Sequence, residues 1–166
     1  DDEMVISLFA DHGQGYLVPE ENDFLSKERT KVAFMFRGSN IEQKMTDEII
    51  STADYLPIMC KLCDIPVTYD LINGKLPLSF GGEKEREYTI TESIHPGDNY
   101  VAVANSKEFE IFFENMSPTD DEGRFRLSSY KVYGYYNDGS VIMEQELLNK
   151  YENIFLDRIA THIIYE

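Results

Sequence analysis

The sequence predicts an α/β fold in which a first part with buried strands is followed by an antiparallel sheet and a closing helix. Residues 4–9 and 31–37 are nearly continuous apolar runs, as expected for strands covered on both faces of a parallel sheet. Residues 86–136 contain short segments rich in Tyr, Phe, Val and Ile, separated by turn signals. Residues 147–159 repeat apolar side chains at helical spacing.

The first apolar run ends at Ala10 and is followed at once by Asp11, His12 and Gly13. Residues 14–27, between the two runs, are polar and contain Gly and Pro, so we predict a loop that crosses the top of the sheet. Ligands of open α/β sheets bind beyond the carboxyl ends of parallel strands. The Asp-His pair therefore occupies a position where a site is expected.

A short helix is predicted after the second run, because Pro57 is tolerated only in the first turn of a helix. Asp54 would then be the N-cap, and residues 64–66 would end the helix. One buried stripe follows from the i, i+3, i+4, i+7 spacing of Leu56, Met59, Cys60 and Cys63. This stripe places both cysteines of the C-x-x-C pair in the core. A structural zinc site is not predicted, because two cysteines are too few ligands for one.

The later part of the chain predicts an antiparallel meander closed by a helix. We place its strands at residues 88–93, 100–104, 109–114, 124–128 and 131–136. The apolar stripe of the last helix would cover one face of this sheet. The predicted domains are therefore residues 1–84, a partial α/β core, and residues 85–166, the antiparallel subdomain.

Composition limits the classes of partner. The chain has 166 residues, 42% of them hydrophobic, which is enough for a globular core. A formal charge of −16 argues against a nucleic-acid surface, which presents clustered Lys and Arg. No apolar run approaches the roughly 18 residues of a membrane span. The sequence leaves the compartment open between cytoplasmic and periplasmic or extracellular.

Asp11 and His12 are candidate metal ligands. Adjacent residues at a strand end can point at one ion, and Gly13 lets the backbone turn sharply there. A carboxylate with an imidazole suits Zn or Mn better than Ca. Calcium stays open as a third alternative, because this donor pair alone does not identify the metal. The alternative is an Asp-His turn without a ligand.

The order of the motifs resembles the C-terminal half of the sulfatase family, within the alkaline phosphatase superfamily. The segments that carry the resemblance are FADHGQG, KVAFMFRG, ISTADYLPIMCKLCDIP and LINGKLPLSFGGEKERE. They match a strand ending in Asp-His-Gly, an R-V-P-L-type strand, a D-x-x-P-T helix and a D-G-x-S-L-x-P segment. The resemblance covers about residues 4–93 by motif and the rest by architecture.

The resemblance implies that Asp11 and His12 are ligands of the active-site divalent cation. It also implies that Lys27 or Lys31 contacts the ester oxygens of a sulfated or phosphorylated small molecule or glycan. The family's nucleophile motif, C-x-P-x-R or its Ser equivalent, does not occur in the sequence, nor does its first pair of aspartates. We therefore expect this chain alone to be inactive and to form the C-terminal portion of a sulfate-ester hydrolase.

Two alternatives remain open at this point. One keeps the superfamily and changes the reaction to phosphodiester hydrolysis or phosphoethanolamine transfer. The other is a non-catalytic binding or assembly domain. A partial α/β sheet would expose an apolar face or edge, so we also expect the isolated chain to self-associate.

Overall fold

The structure, a computed structural model, describes residues 4–14, 25–68, 72–122, 124–127 and 129–162. It is mixed α/β with a C-terminal helix, as the sequence predicts, and the described strands form two antiparallel sheets. Packing divides the chain into two compact units, residues 1–89 and 90–166. Most of the loop predicted at residues 14–27 lies outside the described residues.

The first unit contains the strands β1 (Ile6–Phe9) and β2 (Phe34–Arg37), which pair antiparallel. The predicted parallel arrangement, covered on both faces, is wrong for this pair. Leu8 and its cross-strand partner Met35 lie on an outer face and are exposed. A continuous apolar run indicates which side chains can be buried, but it carries no information about strand direction.

The inner face of this pair packs against Tyr55. The Phe9 ring stacks on the Tyr55 ring with centroids 4.7 Å apart, and Phe36 stacks on it from the neighbouring strand. The Ser7 hydroxyl lies 2.8 Å from the Tyr55 hydroxyl, within hydrogen-bond distance. One aromatic cluster therefore anchors β1 and β2 to the helix that begins at Tyr55.

A single helical turn, α1 (Lys27–Thr30), precedes β2, and the longer α2 (Tyr55–Leu62) follows it. Asp54 does precede α2, but the helical path begins one 3₁₀ turn earlier, with Ser51 as the cap. The helix ends before Asp64, as predicted. It ends there because Asp64 takes a left-handed conformation with φ of 52°.

The predicted buried stripe of α2 is wrong. Pro57, Ile58 and Cys60 are buried, whereas Leu56 and Cys63 are exposed. Nearly every residue between 55 and 60 is apolar, so periodicity alone could not select the inner face. Only one of the two cysteines therefore belongs to the core.

The second sheet has the strand order β3 (Tyr88–Ser93), β4 (Asn99–Ser106), β5 (Phe109–Pro118) and β6 (Tyr130–Tyr136). The strand predicted at residues 124–128 is wrong where the structure describes it, since Phe125 makes only a single bridge. The Asp120 carboxylate accepts hydrogen bonds from the backbone N–H groups of Glu122 and Arg124 and folds this segment into a loop.

The last helix, α3 (Gln145–His162), covers one face of this sheet, as predicted. Phe155 packs on Phe113, and Tyr151 packs edge-on against Phe109. At the other end of the helix, the Glu92 carboxylate accepts hydrogen bonds from Tyr100 and Arg158; the bond from Tyr100 is 2.9 Å long.

Burial and the neighbouring Glu92 carboxylate raise the pKa of Tyr100. The phenol therefore stays protonated and remains a hydrogen-bond donor to Glu92. Within the described residues, none of the helices combines the length and apolar character needed to cross a bilayer.

Candidate metal centre

The candidate site begins where β1 ends. After Phe9, the Ala10 N–H still donates to the Ala33 carbonyl at 3.2 Å, and the chain then leaves the sheet. The Asp11 carboxylate turns back on the chain, and its Oδ1 accepts a hydrogen bond of 2.9 Å from the His12 N–H. The side chains of Asp11 and His12 are 86% and 51% exposed, so an ion could reach both.

The His12 ring has a defined orientation. Its Nδ1 lies 2.7 Å from the Gly13 carbonyl oxygen, which can only accept, so Nδ1 carries the proton in this hydrogen bond. In the tautomer with its proton on Nδ1, the ring has its lone pair on Nε2. That nitrogen lies 3.9 Å from Asp11 Oδ2.

These two donors lie close to the spacing of two ligands on one cation. Two donors of a tetrahedral zinc ion with ligand bonds of about 2.0–2.2 Å lie about 3.3–3.6 Å apart. The observed 3.9 Å is slightly longer, so a small movement of either side chain would bring both donors onto one ion. A carboxylate oxygen with an imidazole nitrogen is a donor set for Zn or Mn. Within the described ranges, no group of three or more His, Cys, Asp or Glu could hold a metal ion. The role of Asp11 and His12 as metal ligands therefore stays a prediction.

Lys27 and Lys31 lie at the two ends of α1. Lys27 is its first residue, and Lys31 caps it by donating its N–H to the Lys27 carbonyl at 2.9 Å. The same helical turn holds the Asp-His loop, because the Gly13 N–H donates to the Arg29 carbonyl at 2.8 Å. Both lysines therefore belong to the element that supports the loop. Their contact with an ester stays a prediction.

The buried carboxylate of Asp54, to which the sequence assigned only the N-cap of α2, organises the first unit. Asp54 accepts hydrogen bonds from the backbone N–H groups of Ser51 at 2.8 Å and Lys75 at 2.7 Å. The Arg86 guanidinium adds an ion pair of 2.5 Å. The spacing Ser51-x-x-Asp54 is a capping-box pattern that was open to recognition in the sequence. Arg86 is 32 residues away and gave no such signal.

A cavity of about 250 Å³ lies beside this ion pair and is lined by residues that include Glu48, Asp54 and Arg86. The Glu48 carboxylate accepts hydrogen bonds from the Leu78 N–H at 2.5 Å and the Ser79 N–H at 3.0 Å. Both carboxylates already have hydrogen-bond partners, so they act as scaffold for the loops around them.

Comparison with curated proteins gives a relationship in sequence to a known enzyme. A Delta 4,5-hexuronate-2-O-sulfatase of Bacteroides thetaiotaomicron is 31% identical over 110 residues, covering 60% of this chain and 22% of that protein. The similarity is to a sulfatase. The chain thus spans about a fifth of the length of the curated relative. No protein-family model and no solved structure matches this chain.

Proposed function

We propose that this chain is the C-terminal portion of a metal-dependent, sulfatase-like hydrolase of the alkaline phosphatase superfamily. The proposal depends on one combination: an Asp-His pair with converging donor atoms lies in a chain that is similar to a sulfatase. The substrate we infer is a sulfated glycan or smaller sugar. The name of the relative specifies a sulfated sugar, and we carry this substrate class over to the present chain by analogy.

A divalent cation at this site would polarise the ester and favour ionisation of the attacking group. Asp11 would supply the negative charge that retains the cation, and His12 would supply a ring nitrogen whose orientation the Gly13 carbonyl sets. Lys27 or Lys31 would balance the charge of the ester oxygens. Since the sequence lacks the nucleophile motif, the reaction needs residues from a longer gene product, and the chain alone should be inactive.

The test uses the full-length product of the gene that encodes this chain. We expect it to hydrolyse an aryl sulfate faster than a bis-aryl phosphate, and a chelator to lower the rate more than about 100-fold. Adding back Mn²⁺, Zn²⁺ and Ca²⁺ separately would identify the metal that restores the rate. Preference for the bis-phosphate would favour the phosphodiesterase or phosphoethanolamine transferase alternative.

A non-catalytic binding domain is the second candidate. It is favoured by the local hydrogen bonding of the Asp-His turn and by the two-donor ligand set among the described residues. A full-length product that neither binds divalent metal nor turns over either ester would establish this candidate and contradict the hydrolase.

The isolated chain should self-associate through the outer face of β1 and β2. Ile6, Leu8 and Met35 are 48%, 59% and 54% exposed on this face, and apolar groups on an open two-stranded sheet favour association. Sizing with light scattering should show dimers or larger species. Leu8→Lys should shift the chain toward monomer, whereas Met143→Lys, at another exposed apolar position, should not. A strictly monomeric wild-type chain would contradict this prediction.

A further inference from the structure

The backbone at Gly13 lies directly against α1. A Cβ atom built on Gly13 would be 1.8 Å from the Glu28 carbonyl oxygen and 3.0 Å from the Lys31 carbonyl oxygen. Ordinary contacts begin near 3.4 Å, so any side chain would have to push the loop away from the helical turn. Gly13 therefore permits a close approach of two backbones. The sharp glycine turn expected from the sequence is not observed, because φ of Gly13 is not positive.

Gly13 also connects α1 to the metal-ligand pair. Its N–H donates to the Arg29 carbonyl at 2.8 Å, and its own carbonyl accepts the Nδ1 proton of His12 at 2.7 Å. His12 in turn donates its backbone N–H to the Asp11 carboxylate. An unbroken series of hydrogen bonds therefore runs from the backbone of α1 to both donor side chains.

We propose that Gly13 is a positioning residue for the metal centre, which rests on the function proposed above. By docking on α1, Gly13 fixes the carbonyl that holds His12 Nδ1, so that Nε2 is the nitrogen that would bind the cation. Groups that orient a metal ligand in this way typically change metal affinity by 10- to 100-fold when they are removed. The role of Gly13 is to hold His12, and it does not touch the metal or the ester.

The experiment compares two glycine variants in the full-length gene product. Gly82 is a matched control, because a Cβ there would also lie 1.8 Å from a carbonyl oxygen, that of Leu76. Gly13→Ala and Gly82→Ala should both lower the melting temperature. Only Gly13→Ala should weaken Mn²⁺ binding, by about 10- to 100-fold in titration calorimetry. Wild-type affinity in Gly13→Ala, or an equal loss in Gly82→Ala, would overturn the positioning role.

A second variant covers the case that Gly13→Ala does not fold. Thr30→Gly removes the hydrogen bond from the Thr30 hydroxyl to the Ser26 carbonyl and loosens α1 without a clash. It should weaken Mn²⁺ binding by about two- to five-fold. Unchanged affinity in Thr30→Gly would contradict the role of α1.

Asp11→Ala separates this inference from the function on which it rests. If wild-type protein binds none of Mn²⁺, Zn²⁺ and Ca²⁺, or binds them equally with Asp11→Ala, the metal centre itself is refuted. If Asp11→Ala abolishes binding while both Gly13→Ala and Thr30→Gly bind normally, the metal centre stands and the positioning role fails.

Discussion

Asp11→Ala is expected to lower metal-dependent ester hydrolysis by the full-length gene product by more than about 100-fold. The carboxylate supplies the charge of the proposed ligand pair, and neutral His12 cannot replace it. Asp11 is 86% exposed, and the hydrogen bond described for it is local, to the next residue, so its removal should leave the free energy of unfolding almost unchanged. Initial rates at saturating ester and urea unfolding measure the two quantities.

Asp121→Ala is the matched control, because Asp121 is an exposed carboxylate in the other unit. It should keep the wild-type rate. Part of the loss in Asp11→Ala should be recovered by raising the metal concentration, since removing a ligand weakens metal binding. A wild-type rate in Asp11→Ala, or a rate that is insensitive to metal, would contradict the assignment of Asp11 as a ligand.

Asp54→Asn is expected to lower the free energy of unfolding by about 3–5 kcal/mol. The Asp54 side chain is only 2% exposed and that of Arg86 only 20%, so water screens their interaction weakly. The variant leaves the guanidinium charge without its buried partner. It also substitutes an amide, with one acceptor oxygen, for a carboxylate that accepts from two backbone N–H groups and an arginine.

Asp120→Asn provides a closely matched comparison. Asp120 also accepts from two backbone N–H groups and one arginine nitrogen, but its side chain is 45% exposed. Urea unfolding of the 166-residue chain should show a much smaller loss for Asp120→Asn than for Asp54→Asn, because solvent screens exposed ion pairs. Equal losses would show that burial is not what makes the Asp54 pair important.

Local sequence patterns predicted much of the second unit. The strand predicted at residues 88–93 is observed as Tyr88–Ser93, and the last helix covers the sheet through its apolar stripe. Alternation and turn residues act over a few positions, so such elements are readable from sequence. The strand predicted around Phe125 is wrong because the Asp120 carboxylate accepts hydrogen bonds from the backbone N–H groups of Glu122 and Arg124. Such a side-chain contact has no periodic signature.

The first unit was harder to predict. Asp11 and His12 follow from a short motif, yet the contact of Gly13 with α1 depends on a fold in which residues 13 and 28 meet. The direction of β1 relative to β2 depends on the path between them, and the inner face of α2 depends on what packs against Tyr55. These are tertiary properties, which propensity and periodicity do not encode.

The Asp54 carboxylate also affects how the first unit folds. Its partners Lys75 and Arg86 are 21 and 32 residues further along the chain. Doubling a loop costs only about 0.6 kcal/mol in closure entropy, so the longer closure is little harder than the shorter one. Once the Lys75 N–H is bound to Asp54, the loop that remains to be closed runs over the eleven residues from Lys75 to Arg86. The contacts of Lys75 and Arg86 with Asp54 should therefore form together, in a single cooperative step.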